Sequence, residues 1–216
     1  MTDRDIQEHV QNALDFDPQI DVADVGVTVD KGVVTLRGDI KSYAEKVAAE
    51  RLALQIYGVK AVANDLVVRL GRTFVRTDTD IAQAAVNALK WNIEVPADKV
   101  HVAVSDGWIS LTGAVDWNYQ RTEAERVLHG LAGVHGIRNN ILVKPRVSVP
   151  DVEKKIEAAF KRSAEVDSHR VHVAAVDGKV ILSGKVRSWA EREEARHAAW
   201  AAPGVREVDD RMTITP

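Results

Sequence analysis

Three groups of side chains have the types and spacing that could do chemistry: histidines, a run of arginines, and tryptophans. His169 and His172 stand three apart. Such a pair could share a metal on a helix, but His172 falls in a strand-like segment at the register of His101, and an exposed strand residue is expected there. Glu45 and Glu191 are equivalent carboxylates that helix capping explains. No glycine-rich phosphate loop, nucleophile elbow or paired His–carboxylate motif is present in the sequence. The residues therefore predict no catalytic centre, no bound cofactor and no metal site. Arg187, Arg192 and Arg196 could form a local basic patch for an anionic headgroup, although Glu193 and Glu194 dilute it. Lys46 and Arg121 are equivalent to Arg192, and Glu50 and Glu125 follow them by four residues, which predicts surface ion pairs of little energy.

The tryptophans are distributed unevenly. None lies in the first 70 residues, whereas Trp91, Trp108, Trp117, Trp189 and Trp200 follow. Alternation around the inward Ile109 points Trp108 to the open face of a sheet, together with Ser110. Val33, Thr35 and Arg37 are expected on the same face earlier in the chain, and Lys179 and Ile181 later. Trp117 and Trp189 fall at the mouth of a helix. An indole suits a lipid interface and a protein interface alike, because its ring is apolar and its N–H can stay wet. The candidate contact residues for a lipid surface or a partner are therefore Trp108, Trp117, Trp189, Arg187, Arg192 and Arg196. The competing reading is that the tryptophans seal neighbouring units of one chain against each other.

What positions these residues is a unit stated three times. Gly32, Gly38 and Gly58 recur as Gly107, Gly113 and Gly133, then as Gly178, Gly184 and Gly204, at offsets of 75 and 71 residues. That period is a small domain rather than a solenoid repeat. Expected boundaries are 1–70, 76–146 and 147–216. Each unit opens on a helix with a hydroxyl three residues before an acid: Thr2 and Asp5, Thr77 and Asp80, Ser148 and Asp151. Ile6, Val10 and Leu14, with their counterparts, form a one-sided apolar stripe. A hairpin follows, with alternating Val25, Val27 and Val29, a turn at Gly32, and a return strand through Val34 and Leu36 that is expected to end at Gly38.

The second helix starts from Ser42-x-x-Glu45 or Ser188-x-x-Glu191, both read as full capping boxes, while in the middle unit Asp116 is expected to cap. Ala49, Ala124 and Ala195 mark its sheet-facing side. Gly58, Gly133 and Gly204 then stop it before a last strand. The fold class is α+β: three tandem α-β-β-α-β domains, each with two helices on one face of a three-stranded mixed sheet. Short joints at 71–77 and 144–150 predict a compact or regularly staggered set of domains.

Bulk properties limit the partners. The 216 residues carry a formal charge of −3 and no cysteine, which excludes disulfides and argues against nucleic acid. The acidic excess sits in residues 1–70, with 8 basic against 12 acidic side chains. No transmembrane segment and no signal peptide are visible, so a cytoplasmic location is expected; a periplasmic chain trimmed of its leader would read the same.

The order of a Gly-turn-Gly hairpin, Ser-x-x-Glu, and then Gly58-Val59-Lys60-Ala61-Val62-Ala63-Asn64-Asp65-Leu66 resembles the BON domain (bacterial OsmY and nodulation). The motif repeats from Gly133 through Asn139 to Ile141, and departs in the third unit, where Asp210 and Met212 replace Asn and Leu. The resemblance implies a non-catalytic module of the osmotically inducible type that binds phospholipid or another envelope component. A soluble interaction or chaperone-like scaffold, or a small-ligand or ion sensor, are the alternatives.

Overall fold

The structure, a computed structural model, describes residues 1–71, 75–144, 151–163, 166–167 and 169–215. The first domain runs α1 (Asp3–Phe16), β1 (Val25–Asp30), β2 (Val33–Ile40), α2 (Tyr43–Gln55) and β3 (Ala61–Val68). The second runs α3 (Asp78–Trp91), β4 (Val100–Ser105), β5 (Trp108–Val115), α4 (Asn118–Arg126), β6 (Gly136–Asn139) and β7 (Leu142–Val143). The third runs α5 (Val152–Arg162), β8 (Val171–Val176), β9 (Lys179–Val186), α6 (Trp189–Ala201) and β10 (Glu207–Ile214). The α-β-β-α-β order and the α+β class are as the sequence implies, except that the last strand of the second domain is interrupted into β6 and β7, both parallel to β5.

In every sheet the return strand is central, antiparallel to its hairpin partner and parallel to the last strand. Ile6, Val10 and Leu14 of α1 and Ala49 and Ala53 of α2 are buried against Val34 and Leu36 of β2. Ile109 and Leu111, and Val180 and Leu182, repeat this core in the other domains.

Local chemistry explains the boundaries. Thr2 Oγ1 accepts from the Asp5 amide at 3.3 Å and Asp5 Oδ2 accepts from the Thr2 amide at 2.7 Å, so α1 begins in a complete capping box. Thr77 and Asp80 do the same for α3. The expected cap at Ser148 lies outside the described residues. At α2 and α6 the full box is replaced by a longer reach: Glu45 accepts from the Lys41 amide at 3.0 Å, and Glu191 from the Arg187 amide at 2.7 Å. In the middle domain Gln120 Oε1 accepts from both the Asp116 and Trp117 amides at 3.1 Å. The Asp116 carboxylate meets Lys99 instead, also at 3.1 Å.

Two further expectations are corrected. The return strands do not stop at Gly38, Gly113 and Gly184 but continue two residues further, because the parallel pairing with the last strand carries on, as Gly38–Leu66 and Ile40–Val68 illustrate. Those glycines have φ of 127°, 127° and 118°, and a Cβ would sit within 1.7–2.0 Å of the carbonyl oxygens of Asp24, Lys99 and Arg170. What would be obstructed is thus the chain entering the hairpin.

The second correction concerns Lys46 and Arg121, which form no ion pair with Glu50 and Glu125. Lys46 Nζ instead donates to the Leu66 carbonyl at 2.7 Å, and Glu50 accepts from Asn64 Nδ2 at 2.9 Å.

Candidate functional site

The closing motif works through its asparagine. Asn64 Nδ2 donates to the Lys46 carbonyl on α2 at 3.1 Å while its Oδ1 accepts from the Leu66 amide at 3.4 Å. Asn139 repeats this with the Arg121 carbonyl at 2.8 Å, Glu125 at 3.1 Å and the Ile141 amide at 3.2 Å. A carboxylate can only accept. In the third domain Asp210 keeps the bond from the Met212 amide at 3.0 Å but takes Arg192 Nε at 2.7 Å, with Arg196 Nε at 3.8 Å. Arg196 stands where the other domains have Glu50 and Glu125. The two departures of the third unit therefore compensate each other: a Glu–Asn contact has become an Arg–Asp one.

This pairing consumes much of the expected basic patch. Arg192 is tied to Asp210 and lies 4.7 Å from the Trp189 ring centre. Arg196 Nη1 meets Glu193 at 2.6 Å. Arg187 Nε lies 3.3 Å from Glu191, a carboxylate whose side chain is only 2% exposed. Burial alone raises the Glu191 carboxyl, but the Arg187 and Asp167 amides and the Arg187 guanidinium outweigh it and hold the group below its ordinary value.

The tryptophans separate into two sets. Trp108 is 39% exposed on the open face of its sheet, with its indole against Gly136 and the Arg138 guanidinium 4.7 Å from its centre. Trp117 is equally exposed. Trp189 and Trp200 belong to seams between domains. Trp189 packs on the core of the first domain, and Trp200 on the cores of both second and third. Tyr43, the counterpart of Trp189, packs on the second domain. Its ring meets His129 edge-on at 5.6 Å, and its hydroxyl lies at the Ile137 backbone. Burial first, then Glu125, raises the Tyr43 phenol above its ordinary value.

These contacts share one register. Positions 43, 118 and 189 are equivalent, as are 54, 129 and 200. Tyr43 meets His129; Arg121, one turn beyond Asn118, lies 5.2 Å from the Trp200 ring centre; Trp189 and Leu54 line one cavity. The start of each second helix thus reaches the end of the next domain's second helix, and the third closes on the first. Identical head-to-tail contacts that close in this way make a ring. Its centre is a cavity of about 430 Å³ with walls from all three domains, including Tyr43, Glu50, Glu125, His129 and Trp189. A second cavity, of about 420 Å³, lies between α4 and α6.

Tyr43 and His129 were not singled out from the sequence, and Arg121 only as half of a surface ion pair. The available signal was Val47, Leu54 and Trp200, apolar residues off the Ala49 stripe of a helix assumed to have one buried face. Also missed were Phe16, Trp91 and Ile93, which are 89%, 86% and 100% exposed. Phe16 and Trp91 end α1 and α3 at equivalent positions. His101 and His172 are exposed strand residues, and among the described residues no group of three metal-ligating side chains converges. No helix among them is long and apolar enough to cross a membrane.

Fold and seams define a class: tandem small α+β domains joined into a ring through their second helices. The family model for the BON domain matches residues 2–69, 77–145 and 148–216, and the chain belongs to that family. It is 30% identical to osmotically-inducible protein Y of Escherichia coli (strain K12) over 149 residues, 67% of this chain and 74% of that protein. Among solved structures, CdsD, a structural protein of the type III secretion system of Chlamydia trachomatis, is 18% identical with a TM-score of 0.27, covering 98% of this chain and 93% of that one.

Proposed function

We propose that this chain is a non-enzymatic binding protein of osmotic or envelope stress that docks on a phospholipid surface. The stress role is supported by the likeness to the osmotically inducible protein of E. coli. The docking reading rests on one observation: Phe16, Trp91 and Ile93 leave their side chains almost wholly in water. Large exposed apolar groups mark interaction sites, and an indole is at home at a lipid interface. Phe16 and Trp91 are related by the repeat, so a cyclic arrangement carries both to one side of the ring.

Charge contributes little to this docking, because Arg187, Arg192 and Arg196 are engaged within the third domain and Asp15 and Asp17 flank Phe16. The expected result is flotation with zwitterionic phosphatidylcholine vesicles that changes little between low and high salt. Phe16→Ser with Trp91→Ser and Ile93→Ser should abolish it. Failure of the wild-type chain to float with zwitterionic or anionic vesicles at either salt would overturn the reading in favour of a scaffold for protein partners.

A further inference from the structure

The three seams use equivalent positions but not the same charges. Between the first and second domains the positions related by this register carry Lys46 and Glu125; between the third and first they carry Arg192 and Glu50, and each of these four side chains bonds within its own domain. Between the second and third they carry Arg121 and Arg196, two cations. The cause is the same Glu-to-Arg exchange that compensates Asp210. Arg196 retains Glu193 and Asp210 as neighbours.

Arg121 is less well provided for. Its guanidinium is half-buried on the face of Trp200, with no side-chain hydrogen bond or ion pair among the described residues. Burial lowers its pKa; Glu125 raises it, and the smaller effect of the opposing Arg196 charge lowers it again. It remains a cation whose lost hydration is replaced only by the Trp200 face and the Glu125 charge, and such partial replacement is costly.

This guanidinium lines the 420 Å³ cavity between α4 and α6, with Trp117, Tyr119, Arg196, His197 and Trp200 around it. Glu193 is the one carboxylate on the wall, and Arg196 holds it at 2.6 Å. The volume lies within the range of small-ligand sites, and three aromatic side chains beside two guanidinium groups suit a flat apolar body with an anionic end. We propose that the seam between the second and third domains binds a small aromatic anion, a carboxylate or a phosphate, whose charged end meets the Arg121 guanidinium, Arg196 being shared with Glu193 and Asp210, and whose ring lies among Trp117, Tyr119 and Trp200. This site is separate from Phe16, Trp91 and Ile93 and does not depend on lipid docking.

The test is calorimetric titration of the full chain with phenyl phosphate and with benzoate, using inorganic phosphate and benzyl alcohol as the charge-only and ring-only controls. At least one aromatic anion should bind about tenfold or more tightly than its control. Arg121→Met should remove that advantage. So should the pair Arg196→Glu and Asp210→Asn, which rebuilds the Glu–Asn contact of the first two domains and is expected to keep the thermal midpoint of the wild type. Vesicle flotation of both variants should be unchanged. Absence of saturable binding by both aromatic anions, or equal affinity in the Arg196→Glu, Asp210→Asn chain, would overturn the proposal.

Discussion

Asn64 and Asp210 occupy the same place in two domains and solve the same problem with opposite chemistry. The amide donates to a helix carbonyl and accepts from a strand amide; the carboxylate keeps the second bond and recruits two arginines for the rest. Asn64→Asp should therefore set two carboxylates together, since Glu50 already lies on Nδ2. A loss of about 1–3 kcal/mol is expected. Adding Glu50→Arg should recover about 1 kcal/mol or more, read as a coupling term in a double-mutant cycle by chemical denaturation. Additive effects would mean that the exchange in the third domain is not compensatory.

Glu191 provides a pH test at the same scale. Its folded pKa lies below the ordinary 4.5, so its stabilisation is complete above the unfolded value and is lost as pH falls through the folded one. Glu191→Gln should be less stable at neutral pH, and the gap from wild type should shrink on acidification through that window. A gap independent of pH would show that the carboxylate's charge is not what holds Arg187 and Asp167.

At the scale of elements, most of the fold was legible because three copies repeat the same signals. The apolar stripe of α1, the alternation of β1 and β2, and the glycine stops agree in each. What could not be read was where the backbone is crowded. Gly38 looks like the end of a strand, yet it lies inside β2 and leaves room for the Asp24 carbonyl. Gly38→Val should cost about 3 kcal/mol or more, combining a steric clash with a positive φ. The first domain's amides should lose protection in hydrogen exchange before those of the other two. Full protection of β1 and β2 in this variant would contradict the clash.

The short α4 was equally hidden. Leu128 stands where α2 and α6 have Ala53 and Ala199, and Gly130 follows it. The helix ends at Arg126 and tightens, with Leu128 and His129 amides bonding to carbonyls three residues back. A bulky residue facing the sheet, followed by glycine, is enough to end it early.

At the scale of the whole molecule, the candidate site was the least legible part, because it is made of residues that meet only after the domains pack. Tyr43, Arg121 and Trp200 have no sequence neighbours in common, and a helix with apolar residues on two sides reads as weakly patterned. Once folded, each domain of about 70 residues is near the lower size limit for a self-sufficient core, so the seams should contribute to stability. The chain should accordingly unfold as one unit, as the three seams share the central cavity and opening one exposes Tyr43, Trp200 or Trp189 according to the seam. Replacing Tyr43, Trp189 and Trp200 together by alanine removes one anchor from each seam while leaving the fully buried Val34, Ile109 and Val180 side chains in place. Small-angle scattering should then report a larger radius of gyration, and calorimetry should resolve separate transitions where the wild type has one. The remaining tryptophans, Trp91, Trp108 and Trp117, should emit further to the red than the wild-type average, since the two seam indoles are gone. An unchanged radius with a single transition would mean that the ring is held by something other than its second helices.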